Sequence, residues 1–278
     1  MTISRLPVFF ISHGGGPWPW MKEQFGSIFE LLEQGLRLMP EQVGETPKSV
    51  LMISAHWEEP EFNVMSSARP TMLYDYLGFP EYTYRITYPA PGAPHVAERV
   101  SDLLKAAGLP VRLDAKRGFD HGMFAPMAVI YPEADVPVLQ LSLKRGLDPR
   151  EHLALGRAIA PLRDEGVLII GSGLSYHNLN VFGPGAGNHA EEFAQSKIFD
   201  QWLQRTVVDA TPADRTAGLI HWEHAPMARR AHPREEHLLP LMVAVGAAEG
   251  ETAYLVYHEN DFFGGVAVSN FMFGRPPR

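Results

Sequence analysis

Apolar residues occur in compact runs at about residues 7–12, 49–55, 125–130, 136–143, 167–172, 216–220 and 252–258. Several of these runs are continuous rather than alternating, as expected of strands buried on both faces. Helix-period patterns fall between them near residues 21–38, 93–108, 148–163, 188–208 and 235–249. This alternation predicts an α/β fold: a single domain over residues 1–278 with a central mixed, mostly parallel sheet covered by helices. No window approaches the ~18 consecutive apolar residues of a membrane span.

The stretch 60–94 departs from this rhythm. Tyr74, Tyr76, Phe79, Tyr82, Tyr84 and Tyr88 stand among Pro70, Pro80, Pro89, Pro91 and Pro94, too aromatic for a linker and too broken for a long helix. Its composition predicts an ordered lid.

Lys and Arg number 24 against 32 Asp and Glu, a formal charge of −8, and the basic residues form no stripe of the kind that phosphate backbones attract. Nucleic acid is therefore not an expected partner, and neither is a membrane. The first apolar run lies within the first ten residues and leaves no room for a secretory leader, so a cytoplasmic protein is expected, as a monomer or small homo-oligomer. The chain has no cysteine, which excludes disulfides, iron–sulfur clusters and thiolate zinc sites. Any metal must be held by imidazole and carboxylate, and the chain has 12 histidines.

Two of those histidines end strand-like runs, Phe10-Ile11-Ser12-His13-Gly14-Gly15-Gly16 and Met52-Ile53-Ser54-Ala55-His56-Trp57. Open α/β sheets gather their ligands at such strand ends, so a metal site is expected there. The glycines after His13 would let a ligand approach the backbone; as a phosphate cradle they lack any GxGxxG or Lys-Ser/Thr context. A third run leaves through Gly171-Ser172-Gly173 to His177-Asn178. His121 follows Asp120 in a loop expected to lead into a strand. His232 precedes Pro233, with Glu235, Glu236 and His237 beyond, as at a helix entrance. No GxSxG, HExxH or Walker A pattern appears in a suitable context. Three or four imidazoles around one ion suit zinc or non-haem iron(II) better than magnesium or calcium.

The ordered set Ser12-His13-Gly14-Gly15, Ser54-Ala55-His56-Trp57, Asp120-His121-Gly122, Gly171-Ser172-Gly173 with His177-Asn178, and His232-Pro233 with Glu236-His237-Leu238-Leu239-Pro240-Leu241 resembles the class III extradiol ring-cleavage dioxygenases, most closely their DOPA-4,5-dioxygenase-like group. The resemblance runs from residue 7 to about residue 273. It implies a mononuclear iron(II) site, with zinc as an alternative bound ion, and opening of a catecholic ring by O2 to a semialdehyde. By motif, His13 and His56 are metal ligands and His232 the third. His177 is either a fourth ligand or the acid/base, and His121 is a second active-site histidine. The wider class uses two histidines and one glutamate, so Glu236 and His237 stand as alternatives to His232. The rival readings are a zinc hydrolase and a non-enzymatic, Memo-like binding protein on the same fold.

Overall fold

A computed structural model describes residues 5–181 and 189–276 of the chain; residue 188, the start of one expected helix, lies outside them. Eight strands form one sheet: β1 (Val8–Ser12), β2 (Ser49–Glu59), β3 (Phe62–Met65), β4 (Val111–Asp114), β5 (Val138–Lys144), β6 (Val167–Gly173), β7 (Ala253–Phe262) and β8 (Val266–Phe273). Their spatial order is β4-β3-β5-β2-β6-β1-β8-β7. The central four, β5-β2-β6-β1, are mutually parallel, and antiparallel partners join at each side through β3 and β8. These four strands are almost wholly buried, which is why their sequences read as continuous apolar runs. The expected single α/β domain with a mixed, mostly parallel sheet is the observed fold.

Two expected strands are helices. The run at 125–130 belongs to helix His121–Ile130, and the run at 216–220 belongs to helix Pro212–Ile220. Nine of the ten residues of His121–Ile130 are buried, so no polar face marks its period, and a short apolar run of this kind is ambiguous. Pro126 sits inside this helix and has no N–H to give to the Gly122 carbonyl. The Ser172 hydroxyl of β6 donates to that carbonyl instead and ties the helix to the sheet.

Helix Leu239–Ala247 is buried throughout and lies against β6, β1 and helix Pro149–Ile159. Its first turn contains Pro240, whereas Pro233 precedes a run of turns, so the helix begins later than the sequence suggested. Among the described residues, no helix is long and apolar enough to cross a membrane. The stretch 60–94 is ordered: it contributes β3, a 3-10 turn at Glu81–Arg85 and the buried rings of Tyr76 and Tyr88.

Candidate metal centre

The parallel ladder brings the carboxyl ends of β1, β6 and β2 to one edge. Ser12 is level with Gly173 and Ser54 with Ser172, and the His13 amide donates to the Gly173 carbonyl at 3.1 Å. His13 therefore leaves the sheet at the point where β6 ends. His56 lies within β2, inside a register irregularity against β5 between Ile53 and Glu58. A bulge re-aims a side chain, and here buried polar groups hold it. The His56 amide donates to Ser54 Oγ at 3.2 Å, and Arg117 donates to the His56 carbonyl at 3.2 Å. Behind them buried Asp120 accepts from Ser54 Oγ at 2.8 Å, from Gln140 Nε2 at 2.7 Å and from Arg117 at 2.6 Å. Burial, followed by the nearby charge of Asp75, raises the Asp120 pKa.

His237 supplies a third imidazole. Its Nε2 lies 3.3 Å from His56 Nε2, which is in turn 3.2 Å from His13 Nε2. The His237 carbonyl accepts from the Leu174 amide at 3.1 Å, which pins this turn onto the exit of β6.

His13, His56 and His237 are all held well below the ordinary histidine pKa, first by burial and then by the charge of neighbouring imidazoles: His56 for His13, His121 for His56 and His177 for His237. Neutral imidazole is the ligating form. Glu236 Oε1 lies 3.0 Å from His237 Nδ1, and Asp75 Oδ2 lies 3.5 Å from His56 Nδ1. These carboxylates draw the Nδ1 protons and leave the Nε2 lone pairs directed at one another, a tautomer assignment made from the hydrogen-bond pattern. With the His13 Nε2 3.2 Å from that of His56, and the His13 Nδ1 buried without a partner, the three imidazoles form a donor set that fits a divalent metal. Two further groups, His56 with Asp75 and His121, and His177 with Glu236 and His237, also lie within coordinating distance. In those groups the carboxylate faces Nδ1 atoms, the position of outer support.

His121 begins the helix His121–Ile130 rather than preceding a strand. Its amide and its Nδ1 both lie 2.9 Å from Asp75 Oδ1, and its ring is 4.0 Å from that of His56. Burial alone would raise Asp75, but the hydrogen bond and charge of His121, with that of His56, hold it down at about 2. His177 stacks on His237 with ring centroids 3.4 Å apart and planes 14° apart, and its Nδ1 is 3.4 Å from Glu236 Oε1. Burial opposes ionisation of Glu236, yet the hydrogen bond from His177 keeps its pKa low.

His232 is not brought into this cluster. It is fully buried between the rings of Phe199 and Trp222, and its Nε2 donates to the Ser175 carbonyl at 3.0 Å. A nitrogen that donates to a carbonyl has no lone pair for a metal, and the other ring nitrogen, Nδ1, belongs to none of the groups of donor atoms within coordinating distance among the described residues. His237, five positions along the same motif, is the histidine that the structure brings beside His56 and His13.

A cavity of about 440 Å³ opens onto the five histidines His13, His56, His121, His177 and His237. Phe25, Phe79, Leu174, Leu179, Phe262 and Phe263 form its apolar walls. The glycines after His13 serve these walls rather than a phosphate. A β-carbon on Gly15 would meet the Phe263 ring at 3.3 Å, and one on Gly16 would meet the Phe79 ring at 2.6 Å.

Asp75 was not found from the sequence, because a lone aspartate between two tyrosines of an irregular stretch carries no spacing signal. A signal for His237 was present: glycine at positions 171 and 173 marks a strand on which another backbone rests. A β-carbon there would lie 2.3 Å from the Pro240 carbonyl oxygen and 2.0 Å from that of His237.

Residues 3–274 match the family described as the catalytic LigB subunit of aromatic ring-opening dioxygenase. A 4,5-DOPA dioxygenase extradiol of Beta vulgaris is 40% identical, with 93% of this chain and 92% of that protein aligned. The protein of the same description from Escherichia coli K12 is 30% identical over 99% of this chain and 97% of its own length. The crystal structure of an uncharacterised E. coli K12 protein superimposes with a TM-score of 0.74 at 27% identity, covering 97% of this chain and 100% of that one. The chain belongs to the LigB family of aromatic ring-opening dioxygenases and is an extradiol ring-cleavage enzyme.

Proposed function

We propose that the protein is an iron(II)-dependent extradiol dioxygenase that opens the ring of a catechol beside its two hydroxyls. Both atoms of O2 enter the product, an open-chain semialdehyde. The observation that carries this reading is the meeting of three neutral Nε2 atoms, from His13, His56 and His237, at one end of a largely apolar cavity.

Iron(II) bound there supplies the electron route that a singlet ring needs to react with triplet oxygen. His13, His56 and His237 would hold it at the end of the cavity, and the rest of the cavity would receive the substrate. His177 removes the catechol proton. Its Nδ1 faces Glu236, which stays ionised and stabilises the imidazolium, so Nε2 is the nitrogen that accepts and later returns the proton. The stack on His237 fixes the ring plane for that exchange. His121, oriented by Asp75, hydrogen-bonds to the oxygen side of the reacting ring. The phenylalanine walls exclude water from the opened product.

Imidazole sites favour zinc over iron(II), so aerobically isolated protein is expected to carry zinc and be inactive. The test is anaerobic loading with iron(II), addition of a catechol panel, then admission of air with simultaneous recording of oxygen uptake and absorbance. Stoichiometric oxygen consumption with a yellow ring-opened product is expected. Absence of uptake with every catechol would overturn the proposal.

A further inference from the structure

We infer that the cavity selects catechols whose ring substituent is apolar and uncharged, and that Phe263 at the tip of the β7–β8 hairpin is a specificity-determining residue. This inference rests on reading the cavity as the catechol site.

Among the described residues that line the cavity, the only ionisable side chains are the five histidines at the metal end. Cations nearby are already engaged. Lys22 and Arg37 line a neighbouring cavity that shares Phe25 as a wall, and both are bound to Glu33, at 2.7 and 2.6 Å. Arg234 is paired with Glu58 and Glu236. A carboxylate or amino-acid substituent would therefore lose its hydration without gaining a partner, whereas an alkyl or aryl group would meet phenylalanine and leucine.

Phe263 is held in this wall against its own backbone preference. Its φ of 55° lies in the left-handed region, which disfavours an aromatic residue. Ring contacts compensate: Phe29 at 4.9 Å and 83°, Phe262 at 5.2 Å and 70°, and Phe25 at 6.4 Å and 76°. Glycine at position 15 leaves room for the ring. Strain kept at a cavity wall, where glycine would relieve it, points to a use for the ring itself.

The test compares 4-propylcatechol with 3,4-dihydroxyphenylpropanoate, which has a similar chain ended by a carboxylate. In iron(II)-loaded protein, kcat/KM for the propyl compound is expected to be at least ~10-fold higher. Binding to zinc-loaded protein, followed by thermal shift, should rank the two in the same order without turnover. Phe263→Gly is expected to raise KM for 4-propylcatechol ~10-fold more than it raises KM for catechol itself. A merely structural ring would affect both alike. Leu179→Arg, at a rim position that is 67% exposed, should shift the preference ~10-fold toward the carboxylate. Equal or reversed preference in the unmodified protein, or equal loss for both catechols in Phe263→Gly, would overturn the inference. No oxygen uptake from any catechol would instead remove the ring-cleavage reading, and the zinc-loaded binding arm would still decide the subsite.

Discussion

The carbonyl oxygen of His237 lies 2.0 Å from the point that a β-carbon on Gly173 would occupy. The third imidazole of the cluster reaches its place because the strand beneath it has no side chain there. Gly173→Ala is accordingly expected to destabilise the protein by about 1–3 kcal/mol and to lower bound metal below one equivalent. Urea unfolding and metal analysis measure the two effects. Gly250→Ala, at a position with open space around it, is the neutral control.

His237→Ala should abolish stoichiometric metal binding. His232→Ala should keep it and instead lose about 2–4 kcal/mol of stability, since it removes a buried hydrogen bond and leaves a void between Phe199 and Trp222. Metal loss in the His232 variant with retention in the His237 variant would reverse the assignment.

His177→Ala is expected to reduce turnover at least ~100-fold with metal content unchanged. Loss of metal in the same variant would move His177 into the ligand set.

Asp75 accepts from the amide and ring of His121 and also faces the ring of His56. Asp75→Asn keeps the shape and removes the charge. Metal affinity should fall ~10–100-fold, as read by competition with a chelator.

Away from the cluster, His152 gives the stability a pH dependence. Its Nδ1 donates to the Asp148 carbonyl at 2.8 Å and its Nε2 accepts from the Lys144 amide at 3.2 Å, so the buried ring is held neutral. Burial lowers its pKa from 6.5 to about 4. The folded pKa lies below the unfolded one, so this contribution is fully present above pH ~6.5 and is lost as pH falls toward ~4. From pH 7 to pH 5 the group accounts for about 2 kcal/mol of lost stability. In metal-free protein, His152→Gln should flatten the wild-type slope by about that amount. Parallel slopes in urea titrations would count against it.

The sheet was legible because its central strands are buried on both faces and therefore read as unbroken apolar runs. The same property misled at 125–130, in a helix buried on nearly every side, whereas at 216–220 the run is the short apolar end of a helix that is otherwise half-exposed. His13, His56, His121 and His177 were legible as a group, since strand exits and Gly-rich turns flag them and the structure brings all four to one cavity. The exchange of His237 for His232 was not. Both histidines flank the same acidic turn, and only the delayed helix start, with Pro240 rather than Pro233 in its first turn, decides which ring faces the site. Asp75 depends on how an irregular stretch folds back, which no local pattern encodes.

The spacing of His13 and His56 is set by hydrogen bonds of parallel strands on either side of β6, not by the conformation of a loop. Segments of that kind exchange their amide protons only when the whole domain opens. Metal-binding geometry and global stability thus belong to one cooperative unit. The protein stripped of its ion keeps the imidazoles gathered for as long as it stays folded, and so it can be reloaded without first rebuilding its site.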